Sequence, residues 1–171
     1  MSRFYPALLM ALTTLLSAQP LRAESAFATL PKDPVILSIS GNLDCCPQGT
    51  AYFDLARLDA MPQTEVNTTT PWTEGSATYS GVRISELLGA VGAKGSTIAA
   101  TALNDYSISF GTAAAMEYPV ILATRSNGQL MRVRDKGPIW IIYPLSEYPQ
   151  LRKEEFHQTM VWQLKSLTIS D

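Results

Sequence analysis

Two adjacent cysteines, one histidine and three closely spaced cations are the side chains of this sequence best placed to do chemistry. Cys45 and Cys46 are its only cysteines. Neighbouring Cα atoms lie about 3.8 Å apart, short of the roughly 4.4–6.8 Å of ordinary disulfides. A bond between the two closes a strained ring, and strained disulfides are the reducible ones. The plainer reading is two unbonded thiols in a loop over residues 42–50. His157 is the sole histidine. One histidine and one cysteine pair lack the four-ligand spacing of a zinc site. No Gly-x-Ser-x-Gly elbow accompanies His157, and no glycine-rich phosphate loop is present. His157 is therefore expected at the surface or at an interface.

Arg132, Arg134 and Lys136 are spaced two apart. On a strand such residues share one face, with Asp135 on the other. A cationic stripe in an acidic chain suggests an anionic partner: a phosphate, a carboxylate or another protein. The same stripe also fits a solvated strand face. Trp72, Trp140 and Trp162 are either core residues or the walls of a pocket.

The elements that must carry these residues follow from apolar spacing and turn signals. Residues 35–40 read as a strand ending at Gly41-Asn42, and 53–60 as a short helix stopped by Met61-Pro62. Residues 64–70 are β-branched and end at Pro71-Trp72. Residues 84–91 place Ile84, Leu87, Leu88 and Val91 on one helical face. Strands are expected over 97–103 and 106–110 around the turn Asn104-Asp105, and a short helix over 112–117. Residues 120–125 and 129–134 flank Ser126-Asn127-Gly128, a hairpin signal because Asn-Gly accepts positive φ. The apolar run 139–143 reads as a buried strand, and 158–170 as the closing strand. The pattern predicts an α+β, mainly β domain with two or three short helices.

The chain has 171 residues, room for one domain. Its apolar share of 46% against a charged share of 16% excludes a disordered polymer. Its net charge of −2 argues against nucleic acid as a partner. Residues 1–23 have the charged start, short apolar run and small residue before Glu24 of a secretory signal peptide. No twin arginine is present, which points to the general export route, through which chains pass unfolded. Removal of those 23 residues takes away Arg3 and Arg22, leaving 148 residues with 11 basic and 15 acidic side chains. The expected product is a periplasmic or secreted domain over 35–171 with a loose lead-in over 24–34, and not an integral membrane protein after cleavage.

The stretch 35–169 resembles the oxidoreductase molybdopterin-binding domain, the catalytic domain of the sulfite-oxidase-like fold. The residues that carry the resemblance are spread along the chain. Tyr79-Ser80-Gly81-Val82 with Ile84-Ser85-Glu86-Leu87-Leu88 is similar to the family's (W/F)-x-G-V-x-(L/I)-x-x-L-L. Ala102-Leu103-Asn104-Asp105-Tyr106-Ser107 stands at its Asp-Gly-Tyr-Ser turn. Ile121-Leu122-Ala123 with Asn127-Gly128, Gly137-Pro138-Ile139-Trp140 and Trp162-Gln163-Leu164-Lys165 follow in the family's order. The resemblance implies a mixed-sheet molybdopterin-binding fold.

The chain departs from the family in three ways, of which the missing twin arginine is one, since a folded molybdopterin enzyme would normally need the twin-arginine export route. The family's molybdenum-ligating cysteine follows the strand here matched by 64–70, where this chain has Thr70-Pro71-Trp72. Threonine is a poor ligand for a metal held among thiolates. A family arginine that helps hold the anionic cofactor is replaced by Trp140. The resulting expectation is an exported binding, accessory or sensing module with no cofactor. Its ligand-binding residues would be Thr70, Trp72, Asn104, Asp105, Tyr106, Arg125, Arg132, Arg134, Lys136 and Trp140. Its partner would be a small anionic ligand or a membrane-bound sensor or redox protein. The alternative is an oxidoreductase that keeps molybdopterin, its metal ligated by the dithiolene and solvent oxygens alone. A third role, thiol redox chemistry, would fall to Cys45 and Cys46.

Overall fold

The structure, a computed structural model, describes residues 26–171. The expected signal segment 1–23 lies outside the described residues. Ten strands and four short helices follow in chain order. They are β1 (Leu37–Gly41), β2 (Thr50–Phe53), α1 (Leu55–Asp59), β3 (Gln63–Thr69), β4 (Ser76–Arg83), α2 (Ile84–Ala90), β5 (Thr97–Ala102), β6 (Ser107–Gly111), α3 (Ala113–Glu117), β7 (Ile121–Ser126), β8 (Gln129–Leu130), β9 (Trp140–Ile142), α4 (Glu154–His157) and β10 (Leu164–Ser170). The α+β, mainly β reading holds, with four short helices rather than two or three.

The strands form two sheets. One has the order β2-β1-β10-β5-β6; the other runs β3-β4-β7-β8, with β9 also paired to β7. The first sheet is mixed, because β1 pairs parallel with β10 while its other neighbours are antiparallel. Alternation explains the pairing: β5 reads intermediate-buried three times over, sending Ile98, Ala100 and Ala102 into the core. On α2, Ile84, Leu87 and Leu88 are buried, as their helical spacing requires.

Local chemistry sets the element ends. The expected helix over 53–60 starts later because Asp54 caps it, its Oδ1 accepting from the Arg57 N–H at 2.8 Å. Phe53 instead ends β2, stacked on Phe27 with ring centroids 4.8 Å apart. No strand is expected over 76–83, ahead of the helix at 84–91; the structure places β4 there. Gly81 sits at a register shift in the β4–β7 pairing. A Cβ at Gly81 would stand 2.0 Å from the Leu122 carbonyl oxygen, so the residue marks a close backbone approach inside a strand.

Two further expectations are corrected. The hairpin at Asn127-Gly128 forms, but β8 stops at Leu130. Val133–Asp135 is a 3-10 turn, with Asp135 N–H donating to the Arg132 carbonyl at 2.7 Å. The chain folds back there because Gly137 N–H also reaches the Arg132 carbonyl, at 2.8 Å, and Lys136 takes a left-handed φ of 71°. The closing strand starts at Leu164 rather than 158, since α4 and an irregular segment occupy the intervening residues.

That irregular segment joins the two sheets. Ile141 N–H donates to Val161 O at 3.0 Å on the β9 side, and Leu103 N–H donates to Gln163 O at 2.8 Å on the β5 side. The seam between the sheets is where the candidate ligand-binding residues collect.

Candidate functional site

Three indoles meet at this seam. Trp72 follows β3 through Pro71, and its backbone N–H donates to Thr70 Oγ1 at 3.3 Å. Thr70 Oγ1 also shares a hydrogen bond of 2.8 Å with Thr73 Oγ1. Trp140 comes from β9, is 2% exposed, and donates its Nε1–H to the Met160 carbonyl at 2.9 Å. Trp162 comes from the irregular segment before β10. The ring centroids are 5.3 Å apart for Trp72–Trp162, 6.3 Å for Trp72–Trp140 and 6.5 Å for Trp140–Trp162. Tyr79 of β4 packs edge-on against Trp140 at 5.4 Å. So Trp140 is core, whereas Trp72 and Trp162 are 38% and 37% exposed and form walls. Trp72 and Trp162 together turn an aromatic face toward solvent at the seam.

Two hollows open at these indoles, one against Trp72 and Trp162 and the other against Trp140. The first, about 340 Å³, is mostly apolar and is lined by Trp72, Trp162, Tyr106, Asn104, His157 and Gln158 among others. The Asn104 side chain accepts from the Tyr106 N–H at 3.2 Å, an Asx turn that fixes the rim. His157, the last residue of α4, sets its ring edge-on to Trp72 at 6.3 Å, with Nδ1 3.9 Å from Glu154 Oε2. The second hollow, about 730 Å³, is polar and is lined by Arg132, Arg134, Asp135, Lys136, Tyr79 and Trp140 among others. Burial pushes the Tyr79 phenol above its ordinary pKa, against a smaller opposing effect of its Thr73 hydrogen bond, so it stays a neutral hydroxyl at physiological pH.

Charge in the second hollow is organised by the turn rather than by a strand face. Asp135 does not point away: Arg132 Nε is 3.0 Å and Arg134 Nε 3.7 Å from its Oδ2. Lys136 is held differently, with Nζ 5.5 Å from the Trp140 ring centre and 5.8 Å from that of Trp162. Those distances are cation–π contacts. Lys136 thus places a charge at the indole wall itself.

Of the ten expected ligand residues, seven line the two hollows: Trp72, Asn104, Tyr106, Arg132, Arg134, Lys136 and Trp140. Thr70 stands behind Trp72 as a turn residue, 7% exposed. Asp105 lies on the outer side of its turn, ion-paired with Lys165, which lowers its carboxyl pKa. Arg125 is elsewhere: its two terminal nitrogens grip Asp59 at 2.6 and 2.8 Å. This bidentate pair tethers β7 to α1. His157 and Tyr79 were not expected in the site. The one signal for His157 was the non-alternating run Met160-Val161-Trp162 just after it, which suits a packed loop better than a strand.

The Arg125–Asp59 pair carries a stability prediction. The Arg125 hydrogen bond holds the Asp59 carboxyl below its ordinary value of 3.8. The unfolded chain therefore binds this proton first as pH falls, so the pair's contribution is complete above pH 3.8 and is lost below it. Asp59→Asn is expected to lower stability by about 1 kcal/mol at neutral pH, the partly exposed side chains keeping the effect small. Urea denaturation at neutral pH and at about pH 3 should show the difference closing, with ligand binding unaltered throughout.

Residues 37–147 match the model of the oxidoreductase molybdopterin binding domain. The chain belongs to this family. The fold of this family member also matches that of the sulfane dehydrogenase SoxCD from Paracoccus pantotrophus, with a TM-score of 0.61 at 22% identity. The match covers 79% of this chain and 38% of that one, so the chain spans well under half of that protein's length. No curated protein sequence matches it.

The side chains at the seam do not make the donor set of a protein-ligated molybdenum. The hydroxyl of Thr70 is engaged by Thr73 and by the Trp72 N–H. The two cysteines, for which unbonded thiols were the plainer expectation, are bonded to each other in the loop after β1. Among the described residues no three His, Cys, Asp or Glu side chains come together as a metal site built from protein ligands alone would need.

Proposed function

We propose that this molybdopterin-binding-family domain is an exported ligand-binding module without a working molybdenum centre, and that it takes a small organic anion with a flat ring. The observation that carries the reading is the pair of hollows lined by neighbouring indoles, Trp72 and Trp162 in one and Trp140 in the other. One is apolar and aromatic, the other cationic. A flat ring slides against Trp72, Trp162 and Tyr106, with Asn104, Gln158 and His157 offering hydrogen bonds to its edge. Its anionic group reaches past the wall to Lys136 and the arginines. A pterin bearing an acidic tail has this shape and chemistry.

Exposed apolar side chains flank both hollows: Leu103 and Tyr106 beside the first, Leu130 and Val133 beside the second, each about half exposed. A rim of this kind suits a second protein that reads whether the cleft is filled, such as a membrane-bound sensor. Among the described residues no helix is long and apolar enough to cross a membrane.

Two measurements test the proposal. Protein purified from its native host should carry no stoichiometric molybdenum. A pterin with an acidic side chain, titrated into the protein, should quench the indole fluorescence saturably, while inorganic phosphate alone binds much more weakly. Stoichiometric molybdenum with an oxidoreductase activity would establish the enzyme instead.

A further inference from the structure

We propose that Cys45–Cys46 is a reducible dithiol–disulfide pair whose reaction partner is an external dithiol and whose point of attack is the Cys45 sulfur. Three observations lead there. The first is that the two adjacent residues are bonded, with Cα atoms 3.7 Å apart. A disulfide stabilises a fold mainly by closing a loop in the unfolded chain, and the gain grows with loop length. A link between consecutive residues closes almost none, so the fold has little to gain from it.

The second is that the loop is anchored without the sulfurs. Asp44 N–H donates to Gly92 O at 3.0 Å, Cys45 N–H to Val91 O at 3.2 Å, and Lys94 N–H to Asn42 O at 2.8 Å. Gly49 N–H closes the turn on Cys46 O at 2.7 Å, and Asp44 pairs with Lys94 at 2.9 Å. These contacts survive breaking of the S–S bond.

The third is asymmetry. Cys46 is 2% exposed and belongs to the core, while Cys45 is half-buried. A thiolate arriving from solvent meets the Cys45 sulfur first. Its attack there breaks the Cys45–Cys46 bond, and Cys46 leaves as a thiolate that takes up a proton. The second thiolate of the reductant then attacks its own sulfur in the mixed disulfide. Cys45 is expelled as a thiolate and protonated in turn. Two electrons and two protons pass to the protein, and the dithiol ends as a disulfide. The loop lies at the far end of β10 from the indole wall, since Asn42 N–H donates to Ile169 O at 3.1 Å. The redox step is therefore separate from the ligand cleft and does not depend on the function proposed for it.

The full chain, incubated with dithiothreitol without denaturant and quenched with N-ethylmaleimide, should gain two maleimides per molecule. Its melting temperature should move by less than about 5 °C on reduction, a small loss for a domain of this size. In the Cys46→Ser variant, Cys45 should form a mixed disulfide with oxidised glutathione. In the Cys45→Ser variant, buried Cys46 should react at least about 10-fold more slowly. Labelling only after unfolding, a larger fall in melting temperature, or equal rates for the two single variants would overturn the proposal.

Discussion

Trp72→Ala is expected to weaken binding of the flat anion by about 30- to 100-fold, or roughly 2–3 kcal/mol. Trp72 is the member of the indole wall with the most to lose. Its ring contacts Trp162, Trp140 and His157, and it still leaves 38% of its surface open. Removing it takes away the stacking face and lets the apolar hollow run into the polar one around it, so water enters where the ring should sit. The protein should still fold, because Trp72 lies on the connection between β3 and β4 and the buried indole is Trp140. Calorimetric titration of the variant with an acidic-tailed pterin measures the loss. Trp72→Phe should recover part of it, since a smaller flat ring restores the face but not the full area. An unchanged affinity in Trp72→Ala would place the ligand somewhere other than this seam.

Regular elements were the legible part of the sequence, because a buried face imposes a period. Strands β5 and β7 and helix α2 are seen in the apolar spacing of their residues, and Asn127-Gly128 announces its turn. β4 escaped notice for a physical reason: Gly81 lacks a side chain to make room for the Leu122 carbonyl, so the apolar alternation breaks inside the strand. The extended reading of 129–134 failed because strand pairing ends where Met131 N–H reaches the Thr124 carbonyl and the chain begins to curl under Gly137.

The site was legible residue by residue but not as a shape. Trp72, Asn104, Tyr106 and Trp140 are named by turn signals and motif order, yet they come from three separate stretches of chain. Only the seam between two sheets brings them together. His157 and Tyr79 carry no local mark of their place, because each gains its role from an indole about 60 to 85 residues away in sequence. Arg125 shows the converse. Its residue type suits an anion site, but a carboxylate from α1 already occupies it.

Replacing Arg132, Arg134 and Lys136 together by alanine should abolish measurable binding of the anion, and the single variants should not contribute equally. Three cations face one carboxylate in the polar hollow, so a ligand entering it meets net positive charge. Arg132 and Arg134 are about two-thirds exposed and share Asp135, which spends part of their charge and leaves the rest screened by water. Lys136 is partly buried against two indoles, where a charge is less screened and its position is fixed. Lys136→Ala alone should therefore cost about 10-fold or more in affinity, against about 2- to 3-fold for either arginine. Asp135→Asn should tighten binding by freeing both guanidinium groups. Raising salt from about 0.01 M to about 0.5 M shortens the screening length from roughly 30 Å to a few ångströms. That change should weaken the native protein several-fold and leave Asp135→Asn more salt-sensitive still, because more of its affinity then comes from exposed charge. A ligand whose affinity ignores both salt and Lys136 would be held by the aromatic hollow alone, and the anionic half of the recognition would fall.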